Sequence, residues 1–195
     1  MTVANGKIGS VESRSRYTIN ACVDTVRQWT RGFRPDAEVL QIGFEGGAIP
    51  QSLIDAGLCL HLVEASRMRL RIFRQMFAEV PSACSEAAAC ALFSRTFDGV
   101  LLCASARTMP KASGFVQLAR IERLLRAGGR LLIIIAPQTQ APVDLRGEPG
   151  GTSSAEDVCE KILCNSGLDI LPRLLDFSGY EYVCAVKHVQ AGVPH

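Results

Sequence analysis

The sequence has little of what marks a secreted or membrane-spanning protein. Its longest aliphatic run is LLIII at Leu131–Ile135, which is far too short to cross a bilayer and suits a buried strand. The first residues, MTVANGKIGSVESRSRYT, contain no apolar core of the signal-peptide type. We therefore expect a cytoplasmic protein with no membrane partner.

The eight cysteines show no spacing typical of a metal or redox site. No two of them form a CxxC pair, and no cysteine–histidine pattern typical of zinc is present. Three of them lie inside apolar runs, where a thiol behaves as a small hydrophobic side chain: Cys59, Cys103 and Cys184. We expect reduced structural thiols and no metal. A redox or metal role for Cys84 with Cys90, or for Cys159 with Cys164, is the alternative.

Charge and catalytic signatures are equally sparse. The chain has 21 basic and 19 acidic residues, a formal net charge of +2, so nothing in its composition calls for nucleic acid as a partner. The sequence shows no Ser/His/Asp order, paired-carboxylate signature or phosphate-binding P-loop. These patterns assign no catalytic residue.

The order of apolar patterns predicts one α/β domain. A length of 195 residues suits a single core. We divide the chain into a mobile N-terminal segment, 1–16, and one domain, 17–195, which opens with a helix at 17–33. The strands we predict are Glu38–Ile42, Leu58–Glu64, a short one near Ser85–Cys90, Phe97–Cys103, Arg130–Ala136, Ile170–Phe177 and Tyr180–Lys187. The further helices we predict are Ile49–Ala56, a helix capped by Ser66 and running to Glu79, Lys111–Arg126 and Ser153–Ser166.

The most informative stretch is EVLQIGFEGGAIPQSLIDAGLCLHLVEAS at Glu38–Ser66. It predicts a strand, a glycine-rich turn, a helix and a second strand that ends in Glu64. This order makes a nucleotide pocket at the carboxyl end of a parallel sheet, because glycines let the backbone approach a ligand and a helix N-terminus points free N–H groups at it. The Glu64 carboxylate can then accept hydrogen bonds from a ribose diol.

Five motifs in sequence order resemble those of class I S-adenosylmethionine-dependent methyltransferases. They are QIGFEGG at Gln41–Gly47, VEAS at Val63–Ser66, FDGVLLC at Phe97–Cys103, IERLLRAGGRLLII at Ile121–Ile134 and EYVCAVK at Glu181–Lys187. The resemblance covers roughly Glu38–His188. It implies a Rossmann-like three-layer α/β sandwich with a mainly parallel seven-stranded sheet and an antiparallel edge strand.

The same resemblance implies methyl transfer as the activity and S-adenosylmethionine as the cofactor. Positions that match the cofactor-binding motifs are Gln41, Gly43, Phe44, Glu45, Gly47, Glu64, Ala65, Ser66, Glu86, Cys103 and Ala104. Gly43 and Gly47 would let the loop approach the methionine end, and Glu64 would bind the ribose with the next two residues near the adenosine. Glu86 would contact adenine, while the Cys103 end of its strand would face the sulfonium and the acceptor.

Two positions depart from the family pattern. Gln41 replaces the acid that opens the loop, and Glu45 replaces the middle glycine. A neutral acceptor in place of a charged one should cost roughly 1 kcal/mol. A non-glycine residue in a left-handed conformation should cost about 1–2 kcal/mol more. Together these costs predict a cofactor bound roughly 30- to 150-fold more weakly. Glu45 is interpreted either as an exposed loop charge or as a neighbour of the cofactor's cationic groups.

The acceptor and two other functions stay open. The fourth strand is followed by ASARTMP rather than the NPPY-type tetrapeptide of enzymes that methylate bases, so we expect a small-molecule acceptor. The altered loop also allows a non-catalytic interaction module that keeps only the fold. Glu64, about twenty residues beyond the glycine loop, is compatible with an NAD-type oxidoreductase as well.

Overall fold

A computed structural model describes residues 22–80, 82–85, 93–105, 121–136, 163, 167–171 and 181–188. Its strands are β1 (Glu38–Ile42), β2 (Cys59–Glu64), β3 (Ser82–Ser85), β4 (Phe97–Ser105), β5 (Leu125–Ala136), β6 (Leu168–Ile170) and β7 (Glu181–Lys187). Its helices are α1 (22–30), α2 (Ala48–Asp55) and α3 (Arg67–Met76), and residues 121–124 are also helical. The predicted mixed α/β fold is confirmed.

The described strands form one seven-stranded sheet in the order β3-β2-β1-β4-β5-β7-β6. β1, β2, β3, β4 and β5 pair in parallel, and β7 runs antiparallel to both of its neighbours, β5 and β6. We expected the antiparallel strand at the edge of the sheet. The structure instead inserts β7 between β5 and β6, so that β6 forms the edge. An apolar strand such as β7 is buried better inside the sheet than at its border.

A separate apolar core covers each face of the sheet. Side chains alternate between the faces along each strand, so that Val39 faces one core and Leu40 the other. The described helices α1, α2 and α3 all contribute to the first core, and the helical residues Ile121, Leu124 and Leu163 contribute to the second. This arrangement has three layers, helix on sheet on helix.

Parallel pairing brings three chain segments together at the carboxyl ends of the strands. β1 ends at Ile42, β2 at Glu64, and Ile42 is paired with Leu102 of β4. The strand order reverses between β1 and β4, which is where ligands bind in open α/β sheets. The glycine loop, Glu64 and Cys103 therefore meet at the carboxyl edge.

The helix predicted at 17–33 ends earlier than expected. Residues 17–21 lie outside the described residues, and α1 ends at residue 30. The carbonyl of Thr30 accepts the N–H of Phe33 at 3.0 Å, and the carbonyl of Gln28 accepts that of Arg31 at 3.3 Å. These short-range bonds turn the chain toward β1 before Phe33 can extend the helix.

Strand boundaries also differ from the sequence expectation. β2 begins at Cys59 rather than Leu58, and β4 continues to Ser105. The structure has strands at Ser82–Ser85 and Leu168–Ile170, while residues 86–90 and 172–177 of the strands expected near Ser85–Cys90 and at Ile170–Phe177 lie outside the described residues. β5 begins at Leu125 rather than Arg130, because Leu125 pairs with Phe97 before an irregularity in the register. The preceding helix consequently ends at residue 124 and not at Arg126. The segment 1–16 that we expected to be mobile, Glu86 and most of the helices expected at 111–126 and 153–166 lie outside the described residues.

An ion cluster lies at the amino ends of the strands, opposite the end that carries the glycine loop. We call it the basal cluster: Glu38, His61, Arg95, Asp98 and Arg126. Arg126 pairs with both Glu38 and Asp98, and Arg95 pairs with Glu38. Burial raises the pKa of each of the two carboxyls, but hydrogen bonds and the neighbouring arginines outweigh it and hold each pKa below its usual value. The cluster joins the amino ends of β1, β4 and β5, far from the predicted site.

Candidate functional site

The glycine loop leaves β1 through a backbone conformation that favours glycine. Gly43 has a φ of +87°, and its N–H donates to the Val63 carbonyl at 2.8 Å. A Cβ atom at Gly43 would lie 2.7 Å from the carbonyl oxygen of Cys103, which is closer than real Cβ contacts. The loop therefore passes tightly over the ends of β2 and β4, and only glycine fits at this position.

Glu64 fastens the end of β2 to the loop. Its side chain is buried at 5% exposure, with one oxygen accepting the Phe44 N–H and the other the Ser66 N–H, each at 2.7 Å. Charge-assisted bonds this short are among the stronger ones in proteins. Glu64 thus lies inward and is not turned toward bulk water. A carboxylate oxygen offers two lone pairs, so each oxygen keeps one acceptor position beyond these bonds.

Gln41 occupies the base of the loop and is fully buried. Its Nε2 donates to the Gly43 carbonyl at 2.9 Å, which orients the amide so that Oε1 points the other way. Oε1 is buried and accepts no hydrogen bond from the described part of the chain. An unpaired buried acceptor costs about 1–3 kcal/mol, so a donor brought by a ligand would be stabilising there.

The left-handed conformation expected at Glu45 is not present. Among the described residues, Asp36 is the one non-glycine with positive φ, and the loop places its second left-handed step at Gly46, with φ of +134°. Because residue 46 is itself a glycine, this shift by one residue causes no Cβ strain. The conformational cost predicted for Glu45 therefore does not arise.

The Glu45 side chain is bound by α3. Arg69 Nη1 lies 3.1 Å from Glu45 Oε1, with both side chains about half exposed, and it also donates to the Phe44 carbonyl at 3.3 Å. In this structure the carboxylate is therefore one half of an ion pair. Arg69 was not among the site residues expected from the sequence. The available signal was a charged residue in place of a loop glycine, followed one strand later by an arginine-rich helix.

Phe44 anchors the loop by its ring as well as by its backbone. The ring is buried and packs edge-to-face on Phe73 of α3, with centroids 5.4 Å apart. Phe73 in turn packs on Phe77 at 5.0 Å. Aromatic pairs of this geometry add about 0.5–1.5 kcal/mol beyond area burial. The ring belongs to the core beneath the loop and does not fill the space above it.

Cys103 forms the floor of the site near the end of β4. The side chain is buried, and Gln41 Nε2 lies 4.0 Å from its sulfur. Burial raises the pKa of the Cys103 thiol, and the nearby Glu45 charge raises it further, so the group is a neutral thiol at physiological pH. Such a thiol serves as an apolar wall and not as a nucleophile.

The remaining predicted positions lie around this centre. Ser66 caps α3, with its hydroxyl accepting the Arg69 N–H at 3.4 Å, and Ala65 is exposed beside it. Gly47 is the N-cap residue of α2, where Met76 packs against it. Ala104 continues β4, paired with Ile135, and Glu86 lies outside the described residues.

Cys22, Cys103 and Cys184 are buried, while Cys59, the first residue of β2, is exposed, contrary to our expectation. Within the described residues, no three His, Cys, Asp or Glu side chains are grouped so as to hold a metal ion. None of the described helices has the length and apolarity needed to span a membrane.

Comparison with known proteins identifies the fold. No protein-family model matches the sequence, and no curated protein matches it by sequence. Magnesium protoporphyrin IX methyltransferase (ChlM) from Synechocystis PCC 6803 with bound SAM is similar, with a TM-score of 0.65, 19% identity and coverage of 94% of this chain and 86% of that one. The glycopeptide N-methyltransferase MtfA complexed with S-adenosyl-L-methionine is also similar, with a TM-score of 0.60, 16% identity and coverage of 86% of this chain and 94% of that one.

A third similar structure is the [4+2]-cyclase SpnF, with a TM-score of 0.60, 14% identity and coverage of 86% of this chain and 81% of that one. The chain therefore has the class I methyltransferase fold that its motifs resemble. At such low identity the similarity defines the architecture, and the chemistry has to be argued from the site.

Proposed function

We propose that this protein is an S-adenosylmethionine-dependent methyltransferase with a small-molecule acceptor. The observation that carries the proposal is Glu64: a buried carboxylate at the carboxyl end of β2, held by the N–H groups of Phe44 and Ser66 beside the glycine loop. Each of its oxygens keeps an acceptor position suited to one hydroxyl of a ribose. The similar structures of the methyltransferases ChlM and MtfA, each with S-adenosylmethionine bound, support the same function.

The residues at the loop fit the rest of the cofactor. At Gly43 the chain passes so close to the Cys103 carbonyl that a Cβ is excluded, so the loop carries no side chain at this position. The unpaired Oε1 of Gln41 offers an acceptor for an ammonium group. We assign Glu64 to the ribose, the Ala65–Ser66 turn to the adenosine, and the Gln41–Gly47 loop to the methionine end.

The chemistry of such a site requires positioning more than proton transfer. When bound, S-adenosylmethionine supplies a methyl group on a sulfonium that is already a good leaving group. The chain's own residues would hold the reactants in line, which can account for a large part of a rate enhancement. The neutral Cys103 thiol lines the pocket with a weakly polar group and offers no competing nucleophile. A general base is needed only for an acceptor that must lose a proton.

The strand order supports this proposal over an NAD-type oxidoreductase. The classic dinucleotide fold has six parallel strands in the order 3-2-1-4-5-6. Here the antiparallel β7 is inserted beside β5, giving the order β3-β2-β1-β4-β5-β7-β6. Since both folds place an acid at the end of the second strand, Glu64 by itself does not separate them.

A non-catalytic interaction module remains the second candidate because of one observation. Both oxygens of Glu64 already accept backbone N–H groups, so the carboxylate has a structural role that would persist without a ligand. The [4+2]-cyclase SpnF is a case in which this fold carries a different chemistry. A methylated product from an acceptor screen eliminates the second candidate.

Calorimetric titration with S-adenosylhomocysteine tests the proposal. We expect the unmodified protein to bind with a dissociation constant below about 1 mM, which corresponds to roughly −4 kcal/mol. Glu64→Ala should weaken binding at least about tenfold, because a charge-assisted hydrogen bond is lost at a buried site.

Glu79→Ala is the control, since Glu79 is an exposed acid beyond α3 and should leave the affinity unchanged. A thermal-shift comparison with NADH adds a test of specificity, because only a ligand that binds the native state raises the melting temperature. Absence of heat from the unmodified protein at millimolar S-adenosylhomocysteine would defeat the proposal.

A further inference from the structure

Arg69 of α3 makes two polar contacts with the glycine loop. Its Nη1 lies 3.1 Å from Glu45 Oε1 and 3.3 Å from the Phe44 carbonyl oxygen. The α3 helix carries four arginines, and the other three are also exposed, but the two loop contacts belong to Arg69. Its first-turn position, three residues after the Ser66 cap, directs it back over the loop.

These contacts complete the fixation of one residue, Phe44, on both of its flanking peptide groups. The N–H of Phe44 donates to Glu64 at 2.7 Å, and the carbonyl of Phe44 accepts from Arg69. The ring of Phe44 is packed on Phe73 of the same helix. Backbone donor, backbone acceptor and side chain are therefore each held by the β2–α3 unit.

Glu45 adds a fastening that glycine cannot provide. Because the left-handed step lies at Gly46, position 45 is free to carry a side chain without strain. Its carboxylate reaches Arg69 and thereby ties the outer part of the loop to α3. We refer to the contacts of Arg69 with Glu45 and with the Phe44 carbonyl as the loop latch.

We propose that Arg69 is a positioning residue, and that the loop latch holds the glycine loop in the form that binds the cofactor. The inference rests on the proposed function, because it concerns the affinity of the same pocket. In this chain the usual middle glycine is absent, and an ion pair between the loop and α3 supplies order to the segment that follows Gly43. The latch touches the loop from the α3 side and acts on the ligand through it.

The proposal predicts an order of effects on S-adenosylhomocysteine affinity. Arg69→Gln removes both contacts and should weaken binding about fivefold, the upper end for a half-exposed ion pair. Glu45→Gln removes one contact and should weaken binding about twofold. The double variant should resemble Arg69→Gln, because Glu45 has no latch to join once Arg69 is replaced. Arg69→Lys, which keeps the charge, should recover part of the loss.

Arg71→Gln is the matched control. Arg71 is exposed on the same helix, so the variant makes the same change in net charge without touching the loop. Its affinity should equal that of the unmodified protein. Raising the salt concentration should weaken binding more in the unmodified protein than in Arg69→Gln, since screening acts on the ion pair.

Hydrogen exchange of the ligand-free protein separates failure of the latch from failure of the proposed function. Amides of residues 43–47 should exchange faster in Arg69→Gln than in Arg71→Gln, whether or not a cofactor binds. If residues 43–47 exchange faster in Arg69→Gln but the unmodified protein binds no S-adenosylhomocysteine, the loop latch is supported and the proposed function is rejected. Binding by the unmodified protein with equal affinities in Arg69→Gln and Arg71→Gln would overturn the positioning role.

Discussion

Replacing Glu64 by Gln should lower the free energy of unfolding by about 2 kcal/mol, even without a ligand. The carboxylate accepts one N–H on each oxygen, from Phe44 and from Ser66, both at 2.7 Å. Glutamine keeps one oxygen and presents an NH₂ group to the other N–H, so one charge-assisted bond worth about 1.5–3 kcal/mol is lost. At 5% exposure, water has little access to replace it.

Urea denaturation followed by tryptophan fluorescence measures this loss. The chain has one tryptophan, Trp29, which is buried at 5% exposure in the core beneath the sheet and should report global unfolding. With a slope of about 2 kcal/mol per molar urea, the midpoint should fall by about 1 M. The slope itself should stay the same, because the variant changes a local contact and not the surface exposed on unfolding.

Glu79→Gln provides the comparison for the same chemical change. Glu79 is exposed, and such a substitution is expected to change stability by no more than about 0.5 kcal/mol. If Glu64→Gln and Glu79→Gln unfold at the same urea concentration, the two N–H bonds to Glu64 do not hold the loop. Glu64 would then not be the residue that orders the site.

Two other predictions concern the loop entry and the basal cluster. Gly43→Ala should lower the free energy of unfolding by about 3 kcal/mol, and Gly57→Ala by only about 1–2 kcal/mol. Both glycines have positive φ, but only at Gly43 would a Cβ lie against the Cys103 carbonyl. Equal urea midpoints of the two variants would contradict this clash. Arg126→Met should reduce the amount by which the free energy of unfolding falls between pH 7 and pH 3. Its two carboxylate partners have pKa values below the ordinary ones, so their stabilisation is present at neutral pH and is lost as the pH falls below about 4. An equally steep loss between pH 7 and pH 3 in the variant would refute that role.

Local patterns were sufficient where the chain's own neighbours decide the structure. The strand Glu38–Ile42 was predicted with its exact bounds, because buried β-branched and aliphatic residues precede a glycine. The cap at Ser66 was also predictable, since a serine before an amphipathic stretch is a helix-start signal, and its hydroxyl accepts the Arg69 N–H. Both features are confirmed.

Boundaries set by distant pairing could not be predicted in the same way. Leu125 looks helical in the sequence, yet it pairs with Phe97 and so opens β5 before the double glycine. β6 has only three residues, and it is a strand because β7 lies beside it. In each case a partner far along the chain overrides local propensity, which is a weak guide to strand ends.

The site shows the same division between local and distant information. A glycine loop followed by an acid was readable, but which loop residue adopts positive φ depends on how the loop meets β2 and α3. The contact of Arg69 with Glu45 spans 24 positions, and α3 offers three other exposed arginines with the same chemistry. Only the three-dimensional arrangement selects Arg69.

The free-energy costs of the two departures from the family pattern, Glu45 and Gln41, therefore differ from those expected. The left-handed penalty at Glu45 disappears because Gly46 takes that conformation. The remaining cost is the neutral acceptor at Gln41, about 1 kcal/mol or roughly fivefold in affinity. Gln41 also does what an ionised acid cannot: its Nε2 donates to the Gly43 carbonyl and closes the base of the loop. If the loop latch acts as proposed, a loop held from below by Gln41 and from the side by Arg69 is ordered before any ligand arrives, and pre-ordering reduces the entropy lost on binding.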